Sequence, residues 1–187
     1  MTTPQLPLGL RSPPDQRLDA FLGNEAARAA VGAAARGEAG DWLYLAGPAG
    51  SGKSHLLLAA CAEAVAGGRR AAYLPMAAFA GRLGAGLAQQ ENADLVCLDG
   101  LEAIAGREAD EEALFHFHNR ARAADSAVLY AARGNPGAIG LQLRDLVTRL
   151  GQCVRFNLEP LDEAGRRAVL RQRAARRGLE LDEAVLD

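Results

Sequence analysis

The chain has 187 residues, of which 49% are hydrophobic, and a formal net charge of −2. That length holds one domain and at most part of a second, with enough apolar residues for a sizeable core, and the near-neutral charge gives no global drive toward nucleic acid or acidic membrane. Cys61, Cys97 and Cys153 are odd in number and far apart, which argues against a disulfide framework or zinc site and predicts buried free thiols. No stretch approaches 18 apolar residues and no basic head precedes an apolar core at the N-terminus, so neither a membrane span nor a signal peptide is predicted, and a cytoplasmic location is expected.

Residues 1–16 carry Pro4, Pro7, Pro13 and Pro14 and read as an extended arm. From about Gly23 helices and strands alternate. Asn24 is placed to cap a helix running to Ala35. A strand over 41–46, a glycine-rich loop and a helix over 53–66 follow, stopped by Gly67-Gly68. Arg70–Leu74 is a second strand, Met76–Leu87 a weak Ala-rich helix, and Asp94–Leu98 a third strand ending at Asp99. Glu108–Ala124 is a helix acidic at its start and basic near its end, as the macrodipole favours. Ser126–Ala131, Leu141–Leu150 and Cys153–Leu158 give a strand, a helix and a fifth strand, and Asp162–Arg177 a further helix. This alternation predicts an α/β fold with a five-stranded parallel sheet covered by helices on both faces. Asp182 is placed to cap another helix, but five residues are too few for a stable one. The expected organisation is an arm over 1–16, a nucleotide-binding domain over 17–160 and the start of a helical lid over 161–187, cut within that lid.

The residues from Gly47 to Ser54 read Gly-Pro-Ala-Gly-Ser-Gly-Lys-Ser and fit G-x-x-x-x-G-K-[ST] at every fixed position. Glycines let backbone N–H groups wrap a phosphate chain, the lysine adds a compact cation, and the Ser54 hydroxyl can reach Mg²⁺. A short apolar run precedes the loop and a helix follows it, so the helix N-terminus adds its partial positive charge. Lys53 is the only lysine beside 20 arginines, which singles out the position where a slender ammonium is required and a planar guanidinium would not fit. Leu95-Val96-Cys97-Leu98-Asp99 is an apolar strand ending in a carboxylate, suited to hold Mg²⁺. Gly100 follows it where a second, water-orienting acid is common, and the nearest other carboxylate is Glu102. The fourth strand ends in alanines followed by Arg133 and Asn135, so machinery for hydrolysis in cis looks incomplete. His116 and His118 lie two apart on a helix, do not share a face, and are expected to be solvated rather than metal-bound. Arg166, Arg167, Arg171, Arg173, Arg176 and Arg177 make a basic helix without interleaved aromatics, so a solvated face outweighs a nucleic-acid surface, and DNA contact is expected to be weak or indirect.

These residues carry a resemblance. Gly50-Ser51-Gly52-Lys53-Ser54-His55-Leu56-Leu57 resembles the P-loop of DnaA-type AAA+ initiators, where His-Leu follows the Lys-Ser/Thr pair. Phe21-Leu22-Gly23-Asn24 resembles the segment on the adenine side of their nucleotide, the stretch from Asp99 to Gly106 the one that opens with their Mg²⁺-binding acid, and Leu146-Val147-Thr148-Arg149-Leu150 the one holding their arginine finger. The likeness runs from about residue 17 to 187. Within the family it is nearest to the Hda branch, the regulatory inactivators of DnaA: the 187 residues leave no room for a C-terminal DNA-binding domain, the runs from Leu57 to Glu63 and Leu95 to Asp99 are similar, and Gln5-Leu6-Pro7-Leu8-Gly9-Leu10 resembles the branch's sliding-clamp motif.

The resemblance implies a regulator of bacterial DNA replication initiation. It would bind ADP or ATP with Mg²⁺ and dock on the DNA polymerase III sliding clamp (beta subunit) through Gln5, Leu6, Leu8 and Leu10. It would stimulate ATP hydrolysis by DnaA through Arg149 in trans, with weak or no ATPase of its own. Phe21 and His55 join Gly47, Pro48, Ala49, Gly50, Ser51, Gly52, Lys53 and Ser54 as nucleotide-binding residues, and Ser54 and Asp99 hold Mg²⁺. Gly9 and the missing second acid depart from the commonest patterns of the family, and the arginine that AAA+ lids direct at the nucleotide has no counterpart in these residues. The competing reading is an AAA+ ATPase in its own right, of helicase-loader or short initiator-paralogue type. Self-association is left open by the sequence.

Overall fold

The structure, a computed structural model, describes residues 16–38, 40–176 and 178–179. The clamp-like motif at Gln5 to Leu10 and the helix expected after Asp182 lie outside the described residues. Five strands, β1 (Leu43–Ala46), β2 (Ala71–Pro75), β3 (Leu95–Asp99), β4 (Ala127–Ala132) and β5 (Val154–Asn157), form one sheet in the order β2-β3-β4-β1-β5. All four pairings are parallel. Helix α1 (Glu25–Arg36) precedes the sheet, helices α2 (Lys53–Ala66), α3 (Met76–Phe79), α4 (Leu83–Ala88), α5 (Glu108–Ala123) and α6 (Arg144–Gly151) lie in the crossovers, and α7 (Glu163–Arg176) follows the last strand. The expected α/β fold is the observed one.

Burial on both faces explains the apolar runs. Along a strand, alternate side chains point to opposite faces. Tyr44, Val96, Leu98, Val128 and Tyr130 pack on one side with residues of α4, α5 and α6. Leu43, Leu45, Leu95, Cys97 and Leu129 pack on the other, against α1 and α2. All three cysteines are buried and free.

Local signals place the element ends. The Asn24 side chain accepts from Ala27 N at 2.9 Å and caps α1, and Gly37 ends it in the left-handed conformation at φ 76°. Two expectations are corrected. The single helix over Met76–Leu87 is instead two short helices with a break at Ala80–Arg82. Gly81 adopts φ 85° there, and the buried Asp110 carboxylate accepts from Gly81 N at 2.5 Å and Leu83 N at 3.0 Å, starting α4 afresh. The helix expected from Leu141 begins at Arg144, because the backbone N–H groups of Gln142 and Leu143 are directed to the buried Glu111 carboxylate, at 2.8 and 2.7 Å.

Candidate functional site

The carboxyl ends of parallel strands are where open α/β sheets place their ligand sites, and the Gly47–Ser54 loop stands there, at the end of the fully buried β1. Two of its glycines are required by close approach. A Cβ on Gly47 would meet Leu158 O at 2.2 Å, and one on Gly52, at φ 91°, would meet the Phe21 ring at 2.7 Å. Lys53 opens α2 and is only 8% exposed. Its ammonium donates to Gly47 O and Pro48 O, both at 2.7 Å, and to Ser51 Oγ at 3.2 Å, so all three protons are held inside the loop. Burial lowers its pKa from the usual lysine value, opposed by the nearby carboxylates of Asp99 and Glu102. A phosphate accepted by this loop would meet α2's free N–H groups and a desolvated cation together.

Ser54 and Asp99 come together as expected. Ser54 Oγ donates to Asp99 Oδ2 at 2.5 Å, and the Tyr73 hydroxyl donates to the same oxygen at 2.6 Å. Hard oxygen donors in this small number suit Mg²⁺, which typically takes one or two protein oxygens and fills its octahedron with phosphate and water. No group of three or more His, Cys, Asp or Glu that could cage a metal occurs among the described residues. Tyr73 was not legible in the sequence as part of this site, because its role depends on β2 lying alongside β3, in the register Tyr73↔Cys97 and Pro75↔Asp99. Burial, and then the bond to Asp99, push its phenol well above the usual tyrosine pKa, so it remains a proton donor.

The cleft over the loop has two lobes that share Ala49, Gly50, Gly52 and His55. One, of about 470 Å³, is mostly apolar and is walled by Phe21, Leu22, Leu161 and Val169. His55 stands against Phe21, with ring centroids 5.7 Å apart, and its Nε2 lies 3.0 Å from Arg17 O. The other, of about 410 Å³, carries the charged and hydroxyl side chains of Lys53, Ser54, Asp99, Glu102 and Arg133. The two fit the two ends of a nucleotide. Arg166 and Arg173, one helical face of α7, also reach the apolar lobe, and the sequence showed them only as members of a charged helix.

Glu102 reaches the site but is engaged. Its carboxylate accepts from Arg133 N at 3.2 Å and pairs with Arg133 Nε at 3.2 Å. Arg149 is not brought to this cleft. It lies exposed in the last turn of α6, and among the described residues it forms no ion pair, Asp145 included.

The histidine expectation is corrected. His116 is exposed, but His118 is 1% exposed, its Nδ1 3.0 Å from the Tyr130 hydroxyl and its ring 4.5 Å from that of Trp42. Burial, with Arg122 and Arg149 nearby, lowers its pKa to about 4. The buried side of α5 accounts for this, since His118 sits one residue from Phe117 and four from Leu114 on that side.

No family model matches the chain. Solved structures do. The replication initiator DnaA bound to AMPPCP and single-stranded DNA is 26% identical with a TM-score of 0.77, over 95% of this chain and 60% of that one. AMPPCP-bound DnaA from Aquifex aeolicus is 25% identical with a TM-score of 0.76, over 95% and 60%. The architecture is that of the DnaA AAA+ domain. Domain III of Thermotoga maritima DnaA, at 23% identity, shares the fold with a TM-score of 0.79, over 93% of this chain and 79% of that domain. The chain thus spans about three fifths of the first two DnaA chains. The DnaA-like fold contains no helix, among the described residues, long and apolar enough to cross a membrane.

Proposed function

We propose that the chain is an adenine-nucleotide-bound regulator of bacterial replication initiation of the Hda type, which docks on the sliding clamp and stimulates ATP hydrolysis by DnaA. The observation that carries the reading is the separation of two features. The chain's own phosphate lobe has Gly100 after Asp99 and a Glu102 already engaged by Arg133, while Arg149 stands exposed outside that lobe and, among the described residues, without an ion pair. A guanidinium in that position is available to a neighbouring subunit's nucleotide, where an arginine finger is worth roughly 10³–10⁵ in rate.

Gly47–Lys53 would bind the phosphates through loop N–H groups and the Lys53 ammonium. Ser54 and Asp99 would hold Mg²⁺, which neutralises developing charge on the phosphates when bound. Phe21, His55 and Leu161 would line the base and sugar end. The likeness to AMPPCP-bound DnaA structures supports nucleotide binding. The arm motif Gln5, Leu6, Leu8 and Leu10 is assigned to the clamp on the sequence alone, with residues 17–160 as the nucleotide-binding domain and 161 onward as lid. The alternative, a self-sufficient AAA+ ATPase, needs an acid free to orient water, and Glu102 is tied.

The test is Arg149→Ala. The variant should keep its fold, nucleotide and clamp binding, yet fail to stimulate ATP hydrolysis by DnaA on clamp-loaded DNA, and the parent alone should turn over ATP far more slowly than one per second. Stimulation equal to the parent's would reject the trans role, and intrinsic turnover of several per second would favour the self-sufficient ATPase.

A further inference from the structure

The Asp99 carboxylate is used unevenly. Ser54 Oγ and the Tyr73 hydroxyl both donate to Oδ2, at 2.5 and 2.6 Å, and among the described residues nothing donates to Oδ1. An ionised carboxylate has about four lone-pair sites, shared between its two oxygens. Both sites of Oδ2 are therefore filled, and Oδ1 is the oxygen left for a cation. The two hydroxyls reach Asp99 by different routes. Ser54 lines the same lobe of the cleft as Lys53 and Asp99, and Tyr73 does not line it. Tyr73 comes along the sheet instead. In the register Tyr73↔Cys97 and Pro75↔Asp99, Tyr73 and Asp99 fall on one face. The Tyr73 ring packs on the core cluster of Leu57, Cys61 and Cys97, which anchors its hydroxyl.

The consequence is how many oxygens Asp99 can offer. A serine hydroxyl that gives its proton to Asp99 keeps its own lone pairs for a metal. Tyr73, outside the lobe, only takes up the second site of Oδ2. Ca²⁺ accepts both oxygens of one carboxylate in a flexible shell, whereas Mg²⁺ demands a near-ideal octahedron. The bite of a chelating carboxylate is narrower than the right angle of an octahedron, so one oxygen suits Mg²⁺ and two suit Ca²⁺. With Oδ2 filled, Asp99 has one to give.

Resting on the nucleotide and Mg²⁺ reading above, we infer that Tyr73 is a positioning residue that sets the metal selectivity of the site, holding Asp99 to one free oxygen so that nucleotide is taken with Mg²⁺ in preference to Ca²⁺. Tyr73 acts through Asp99 Oδ2 and not on the metal or the nucleotide itself. Removing its hydroxyl leaves the Ser54–Asp99 bond in place and returns one lone-pair site to Oδ2. Asp99 can then offer both oxygens, an arrangement that Ca²⁺ can use and Mg²⁺ cannot.

The experiment is equilibrium titration of ADP with Mg²⁺, with Ca²⁺ and with EDTA, against the parent chain, Tyr73→Phe, Asp99→Asn, the double variant and Lys53→Ala. The parent should bind ADP more tightly with Mg²⁺ than with Ca²⁺. Tyr73→Phe is expected to reduce that preference roughly five- to tenfold, and to change the affinity in EDTA less than about twofold. In the Asp99→Asn background, Tyr73→Phe should shift the preference no further. An unchanged preference in Tyr73→Phe, or an equal loss with Mg²⁺, Ca²⁺ and EDTA as a merely structural tyrosine would give, would overturn the inference. So would a shift that persists in Asp99→Asn. Equal affinity of the parent with Mg²⁺ and Ca²⁺ would overturn it without any variant having to fold. If the parent binds ADP as well in EDTA as with Mg²⁺, the metal assignment of Ser54 and Asp99 fails and this inference with it. If Lys53→Ala binds ADP as the parent does, the nucleotide reading itself is what fails.

Discussion

Lys53 shows what one residue contributes when its setting is fixed by backbone. Its ammonium is buried with three acceptors, all within the loop, so it is positioned before any ligand arrives. Lys53→Ala removes a charge-assisted partner worth roughly 1.5–3 kcal/mol, so ADP affinity should fall by about ten- to a hundredfold in isothermal titration. An unchanged affinity would refute the phosphate role. His118 offers a second test, in stability. Its pKa is lowered from the usual 6.5 to about 4, so the unfolded chain binds the proton first as pH falls. The stability that His118 contributes is fully present above pH 6.5 and is lost as pH falls through 4, by up to about 3 kcal/mol for this shift. Urea denaturation at pH 7 and pH 5 should therefore show a drop that His118→Gln makes smaller. An identical drop in the variant would remove His118 from the account.

At the scale of elements, two buried acids at the start of α5 organise the loops around them. Asp110 begins α4 and Glu111 fixes the approach to α6, besides accepting from Gly106 N at 2.7 Å. Glu111 thereby sets where α6, the helix that carries Arg149, begins. Glu111→Ala leaves three backbone N–H groups without their acceptor, at about 1–3 kcal/mol for a buried unsatisfied group. The variant should lose at least about 2 kcal/mol in urea denaturation, and hydrogen exchange should quicken at Gln142 and Leu143. Protection as strong as the parent's would contradict this. The same elements mark what the sequence could tell. The phosphate loop and Asp99 were legible because their chemistry demands fixed residue types at strand ends. The acidic start of α5 was legible only as a favourable macrodipole, since all its partners but Gly106 are 27 to 32 residues away. The Tyr73–Asp99 bond and the Arg133–Glu102 pair likewise need the register of neighbouring strands, and His118 needs the orientation of a whole helix face. Each is a long-range contact that periodicity does not encode.

At the scale of the whole molecule, the proposed function puts nucleotide binding, clamp docking and action on DnaA on different residues, and each should fail alone. Nucleotide at 100 times its dissociation constant stabilises the native state by about 2.7 kcal/mol. For a chain of this size that raises Tm by roughly 5–10 °C. The parent and Arg149→Ala should both show the rise with ADP, and Lys53→Ala at the same ADP concentration should show about half of it or less. The arm lies in sequence before the first described element, so its variants should leave this shift intact. In the arm, Gln5 offers a hydrogen-bonding amide, and Leu6, Leu8 and Leu10, at alternate positions, supply apolar anchors of the kind that extended peptides use in pockets. Gln5→Ala combined with Leu6→Ala should abolish retention on immobilised clamp while keeping the parent's Tm and its ADP-induced rise. Retention equal to the parent's would take the motif out of the function. Lost retention together with a lost ADP shift would mean that arm and nucleotide domain are one unit, contrary to the division proposed at residue 17.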